Sequence, residues 1–198
     1  METWLSYRPA DLIMFSPEIY VRLFERLNLA AWPVQLLLPA LAAGIVLLAN
    51  SRHPHAHRLA ATGLAAAWGM AAWWFFPLYA EINLAAPWLA TLFAAQSLLL
   101  LLVAAGSGLR LDRRSVTWWP GLALLLWGMA LHPLAGLATG RGVAGAELFA
   151  LAPDPTAIAT LGIVLMAHGP GRWRLTILPL AWCAISAATW WSLLSQGT

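Results

Sequence analysis

Long apolar stretches alternate with short polar connectors along almost the whole chain. A bilayer core about 30 Å thick is crossed by about 20 apolar helical residues. By that measure the pattern predicts six spans, at 31–49, 59–79, 87–107, 117–137, 155–168 and 173–194. The expected fold class is all-α: a polytopic membrane helix bundle that forms one unit over residues 31–198. Residues 1–30 precede it as an outer N-terminal segment, and 16–29 read as an amphipathic helix rather than a span. Ser16 suits the N-cap, Pro17 the first helical position, and Phe15 with Tyr20 can form a hydrophobic staple. Ile19, Tyr20, Leu23, Phe24 and Leu27 make one stripe of this helix, and Glu18, Arg22, Glu25 and Arg26 the opposite one. Such a helix lies in the membrane interface, either as a lid on the bundle or as a docking face for a partner.

Charge placement orients the spans. Hydrophobic residues make up 61% of the chain and charged residues only 10%, well below the roughly 25% typical of soluble domains. Seven of the eleven basic residues, all arginines, fall in three connectors at 52–58, 110–114 and 172–174. The opposite connectors hold only Arg141. Positive charge collects on the cytoplasmic side of membrane proteins, so these three connectors should share that side and both termini should face out. Tryptophans agree with this frame: Trp32, Trp73, Trp74, Trp88, Trp190 and Trp191 fall near outer span ends, and Trp118, Trp119 and Trp173 near inner ones. A sequence pI of 9.8 is then a topology signal, and no nucleic-acid partner is expected. Residues 1–30 show no apolar core followed by small residues, so no cleavable signal peptide is expected there.

The fifth span is broken. Its 14 residues from Pro155 to His168 reach about 21 Å, short of the bilayer core. Pro153-Asp154-Pro155 interrupts the apolar run that begins at Leu148. Two readings follow: an ordinary interfacial loop with a helix cap, or a helix that starts below the outer surface with non-helical backbone at membrane depth. The second is tolerated only where that backbone is buried in protein or lines a cavity. His132 sharpens it. It lies 14 residues beyond Trp118, about 21 Å up its helix, and so at the depth of Asp154. Ionisable groups at that depth pair with one another or serve a pathway. A His132–Asp154 pair is therefore expected, with Glu81, Asn83, Glu147, Thr156 and Thr160 in the same outer layer and Gln35 entering from the first span. Gln96, in the middle of the third span, should tie two helices together.

Other chemistry is sparse. Without lysine, the chain has no Schiff-base chemistry, and its single cysteine, Cys183, forms no internal disulfide or thiolate cluster. His53, His55 and His57 alternate along a short connector, so their imidazoles could converge on a metal; they could equally be solvated. No phosphate loop, nucleophile elbow or zinc-protease pattern is present, so neither an enzymatic role nor a bound cofactor is expected. Gly63, Gly69, Gly128 and Gly136 lie within spans, where small residues permit close helix approach.

The motif Asn28-Leu-Ala-Ala-Trp32-Pro33-Val-Gln35 is joined by Ile82-Asn83, Gln96, Pro133, Gly136 and the run Pro155-Thr156-Ala-Ile158-Ala-Thr160-Leu-Gly162. Together these resemble an uncharacterised family of bacterial polytopic membrane proteins, a domain of unknown function. The resemblance implies six helices in a bacterial inner membrane and implies no activity. Besides an intramembrane enzyme, for which only His132 and scattered carboxylates are available, two functions remain open from the residues. One is binding or passage of a small solute or ion through an outward-facing pocket, with His132 and Asp154 as ligand or proton-coupling groups, Gln35, Asn83 and Thr156 as neutral donors and acceptors, and Glu81 nearby. The other is a non-catalytic accessory or assembly subunit of a larger membrane complex. The expected partners are the lipid bilayer and a second copy or other membrane subunits.

Overall fold

The computed structural model describes residues 15–106, 109–138 and 142–195. The fold is all-α. Helix α1 spans Pro17–Ala30, and its start follows the sequence signals. Ser16 accepts from the Ile19 backbone N–H at 3.4 Å, and the Phe15 and Tyr20 rings stack with centroids 5.5 Å apart. Tyr20, Leu23, Phe24 and Leu27 are buried, whereas Ile19 of the expected stripe is 46% exposed. The buried face meets Phe75 and Tyr79 of the third helix and Trp190 of the last, so α1 covers one end of the bundle.

After α1 come a 3-10 turn over Val34–Leu37 and helix α2, Leu38–Ala49. Helix α3 is Ala56–Tyr79, α4 Ala86–Ala105, and α5 Trp118–Leu126. A π turn over Trp127–Leu131 leads into α6, His132–Ala138. Helix α7 is Pro153–Met166, and a 3-10 turn over Pro170–Leu175 leads into α8, Ile177–Ser195. The core lies on α3 and α7. Trp68, Ala71, Phe75 and Phe76 of α3 and Ala157, Ala159, Ile163 and Met166 of α7 are all essentially inaccessible. Helices α2 and α4 pack on α3, while α5 and α8 pack on α7.

Among the described residues, three helical segments are long and apolar enough to cross a membrane, not the six expected: α3, α4 and Arg172–Leu194, which takes in most of α8. A fourth is added if α1 and Val34–Ala49 count as one span, although they meet at 84°. Each shortfall has a local cause. Pro33 cannot extend α1, because it has no N–H to donate and restricts the residue before it. The apolar stretch from Trp118 to Ala138 is divided by its π turn. There Pro133 removes a helical hydrogen bond, and the His132 N–H reaches back five residues to the Trp127 carbonyl. Helix α7 has only 14 residues, about 21 Å.

The three arginine-bearing connectors meet at one end of the bundle. Arg110–Leu111 pairs antiparallel with Ala167–His168 in a two-residue ribbon. Arg113 donates to Asn50 Oδ1 at 2.8 Å, and Arg58 donates to the Gly106 carbonyl at 2.8 Å. Arg172 donates to the Ala167 carbonyl, and His168 lies 3.9 Å from Asp112. Helix α1 and the connectors 80–85 and 142–152 occupy the opposite end, where Arg26 and Glu81 form a two-pronged ion pair at 2.6 and 3.0 Å.

That pair has a readable pH signature. Hydrogen bonding to the Arg26 guanidinium, helped by its charge, holds the Glu81 carboxyl below its ordinary value. A depressed folded-state value means the contribution is present above the unfolded carboxylate range and is lost as pH falls through the folded one. Glu81→Gln should therefore lower Tm slightly at pH 7, and the difference should shrink at acid pH, below the ordinary carboxylate range. An equal Tm difference at both pH values would show that charge pairing is not what this residue contributes.

Candidate functional site

The connector between α6 and α7 does not stay at the surface. Residues 145–147 and 149–152 are buried although their backbone is not helical, and Ala150 adopts a positive φ of 70°. Buried backbone of this kind needs a partner for each polar group. Asn28 of α1 supplies two, donating from Nδ2 to the carbonyls of Ala144 at 2.7 Å and Ala146 at 2.9 Å. Thr156, fully buried on the first turn of α7, supplies two more. Its hydroxyl accepts from the Ala150 N–H at 3.0 Å and donates to the Ala152 carbonyl at 2.8 Å.

This connector brings three ionisable side chains together. One ligand atom each from His132, Glu147 and Asp154 lies within 4.8 Å of the others, with Glu147 buried and the other two half-buried. The π turn places His132 at the head of α6, Pro153 and Pro155 place Asp154 in the first turn of α7, and the buried connector carries Glu147 between them. Close helix packing completes the approach. A methyl group at Gly128 would sit 2.5 Å from the Pro155 carbonyl oxygen, and one at Gly162 would sit 2.6 Å from that of Gly121. Only glycine lets the π turn lie so near the start of α7.

Helix α8 orients the carboxylate. Trp182 Nε1 donates to Asp154 Oδ1 at 2.6 Å, and the Ser186 hydroxyl donates to Oδ2 at 2.5 Å. Trp182 and Ser186 stand four residues apart and so share a helix face. Neither Trp182 nor Ser186 is among the candidates that the sequence suggests. The available signal was an indole N–H in a bilayer-length apolar run, which must find an acceptor when buried.

The remaining expected residues are placed as follows. Glu81 is exposed in its pair with Arg26, away from the cluster. Asn83 closes the α3–α4 turn, donating to the Tyr79 hydroxyl at 2.7 Å and accepting from the Ala85 N–H at 2.8 Å. Thr156, two residues beyond Asp154, is the anchor of the connector. Thr160, one turn on, accepts from Trp68 Nε1 at 2.8 Å. Gln96 donates to the Leu175 carbonyl at 3.2 Å and thus ties α4 to the start of α8. Gln35 lines an apolar groove of about 610 Å³ between α2 and the α5–α6 run, beside Met129, Pro133 and Phe149.

His53 and His55 lie with ring centroids 5.7 Å apart, but His57 turns away on the first turn of α3 and its Nδ1 accepts from the Leu111 N–H at 3.5 Å. Among the described residues only the His132, Glu147 and Asp154 group has the spacing of a metal site. The helix start at residue 56 takes the connector out of the extended form that would have aligned the three imidazoles.

No curated protein and no solved structure matches the chain. A family model does, over residues 17–194, which runs from the first residue of α1 almost to the end of α8 and takes in the whole cluster. The chain belongs to the family described as "Family of unknown function (DUF6064)".

Proposed function

We propose that this is a multi-pass membrane protein that binds or passes a small cationic solute, an inorganic ion or a proton at the His132–Glu147–Asp154 cluster. The cluster itself carries the reading: three ionisable groups gathered at the mouth of a broken helix, about 20 Å from the arginine-rich end if α7 is taken at 1.5 Å per residue. Helices interrupted in this way form ion and substrate sites in transporters. In this reading α3, α4 and α8 cross the bilayer whole. Val34–Ala49, the α5–π–α6 run and α7 cross as shortened or broken segments, which brings the total to six. The arginine-rich end faces the cytoplasm of a bacterial inner membrane, and the cluster opens toward the outside. Exposed Trp32, Trp73, Trp88 and Trp191 toward one end and Trp119 and Trp173 toward the other support two interfacial belts.

The test uses liposomes containing the full chain, a pH-sensitive dye and a divalent-ion dye, with a proton or Mn2+ gradient imposed. The wild-type protein should dissipate at least one gradient, and His132→Ala should not, while inserting and unfolding like wild type. No flux in the wild type, combined with stoichiometric recovery of another membrane chain on gentle purification, would replace this reading with that of an accessory subunit.

A further inference from the structure

We infer that the cluster is a binding site for a divalent first-row transition cation, of the Zn2+, Mn2+ or Fe2+ class, with His132, Glu147 and Asp154 as its protein ligands; this deepens the ion reading above and rests on it for the cation's access to the site. The geometry comes first. Ligand atoms around one such ion sit about 2.0–2.2 Å from it, and so up to about 4 Å from one another. Here the three atoms lie within 4.8 Å. Side-chain adjustments of under about 1 Å would close them on an ion.

Charge is a second consideration, drawn from the same three groups. Two carboxylates held this close in a low-dielectric setting repel, unless a proton or a cation lies between them. The two donors to Asp154, the Trp182 indole and the Ser186 hydroxyl, are neutral. They fix the direction of the carboxylate without cancelling its charge. Each carboxylate oxygen has two lone-pair sites, so a donor on each still leaves one toward the cluster. Outer-sphere hydrogen bonds of this kind orient a metal-ligating carboxylate.

Donor chemistry selects the ion class. One imidazole with two carboxylates suits borderline cations, whereas Ca2+ and Mg2+ prefer all-oxygen shells and Cu+ prefers sulfur. Three protein ligands also leave coordination positions open, as in sites that exchange rather than closed structural ones.

The full chain, purified in detergent and stripped by a chelator, is equilibrated with Zn2+ or with Mn2+ as the only added metal. Metal per chain is measured after gel filtration, and the Mn2+ form is followed by electron paramagnetic resonance. The expected result is one ion per chain, lost in Asp154→Asn and in Glu147→Gln at unchanged helical content. Trp182→Phe keeps the ring's bulk but removes its donor, and should weaken binding about tenfold or more. A triple change of His53, His55 and His57 to Ala should leave the stoichiometry at one. The inference is overturned by absence of stoichiometric metal, by retention in both carboxylate variants, or by loss in the triple histidine variant. The two readings fail separately. A bound ion without flux keeps the site and removes passage, and proton flux without a bound ion keeps passage and removes the metal.

Discussion

Gly162→Val should prevent the native packing of α5 on α7. A Cβ at position 162 would lie 2.5 Å from the Leu125 nitrogen, 2.9 Å from its Cα and 2.6 Å from the Gly121 carbonyl oxygen. All three are backbone atoms on a packed helix, so no rotamer change relieves the clash, and the helices must separate. Overpacking a well-filled core typically costs about 1–3 kcal/mol and sometimes more. Valine at a backbone-to-backbone contact belongs at the upper end, about 3 kcal/mol or beyond. Separation would also carry the π turn away from Pro155, and with it His132 from Asp154. Gly136→Ala is the control. A Cβ there meets nothing within 4 Å, and alanine favours the helix by up to about 1 kcal/mol. Thermal unfolding in detergent should show a large Tm loss for Gly162→Val and no loss for Gly136→Ala. A wild-type Tm for Gly162→Val would mean that α5 and α7 do not meet through these glycines.

The same glycines show where sequence reading reached and where it stopped. Gly63, Gly69, Gly128 and Gly136 were all candidates for close helix approach. The structure uses Gly128 against the α7 backbone, and Gly63 against the flexible Ile45 side chain. Gly69 meets only the Ser97 hydroxyl, at an ordinary 3.4 Å. Gly121 and Gly162, which form the tightest crossing, did not stand out. Hydropathy finds a helix but does not fix its rotation, and rotation decides which glycine faces a neighbour.

Depth was more legible than rotation. The rise per residue placed His132 and Asp154 at one level, and the structure brings them together with Glu147, which the sequence put in the same layer. The α1 boundary was legible because Ser16, Pro17 and the Phe15–Tyr20 contact act within one turn. Where the spans break was not. Length and hydropathy cannot see an 84° bend at Pro33 or a π turn ahead of Pro133, because both depend on how proline redirects the backbone in its packed context. The roles of Trp182 and Ser186 were hidden for a related reason. Each reads as ordinary in an apolar run until its partner on another helix is known.

Asn28→Leu should damage the cluster without touching it. Leucine matches asparagine roughly in size but carries no donor, so the carbonyls of Ala144 and Ala146 lose the N–H groups that reach them at 2.7 and 2.9 Å. Orphaning the buried Ala146 acceptor costs about 1–3 kcal/mol, and the Ala144 carbonyl, on an exposed residue, adds less. The buried apolar surface of leucine offsets part of this loss, so the net fall in stability is smaller than the orphaned acceptors alone would give. Ala146 immediately precedes Glu147, so relaxation of this strand toward new partners displaces that carboxylate first. The expected result is an unchanged helical signal, a clear fall in Tm, and a loss of Mn2+ affinity approaching that of Glu147→Gln. Asn28→Asp should be at least as harmful, because it sets a carboxylate oxygen against two carbonyl oxygens. If Asn28→Leu kept both Tm and Mn2+ affinity, the connector would be held by other contacts, and the route from α1 to the cluster would not exist. If it lowered Tm alone, Glu147 would be positioned independently of the strand that carries it. The preferred order of events is the opposite one. A helix that lies across the end of the bundle fixes a non-helical strand through one amide, and that strand sets the third corner of the site.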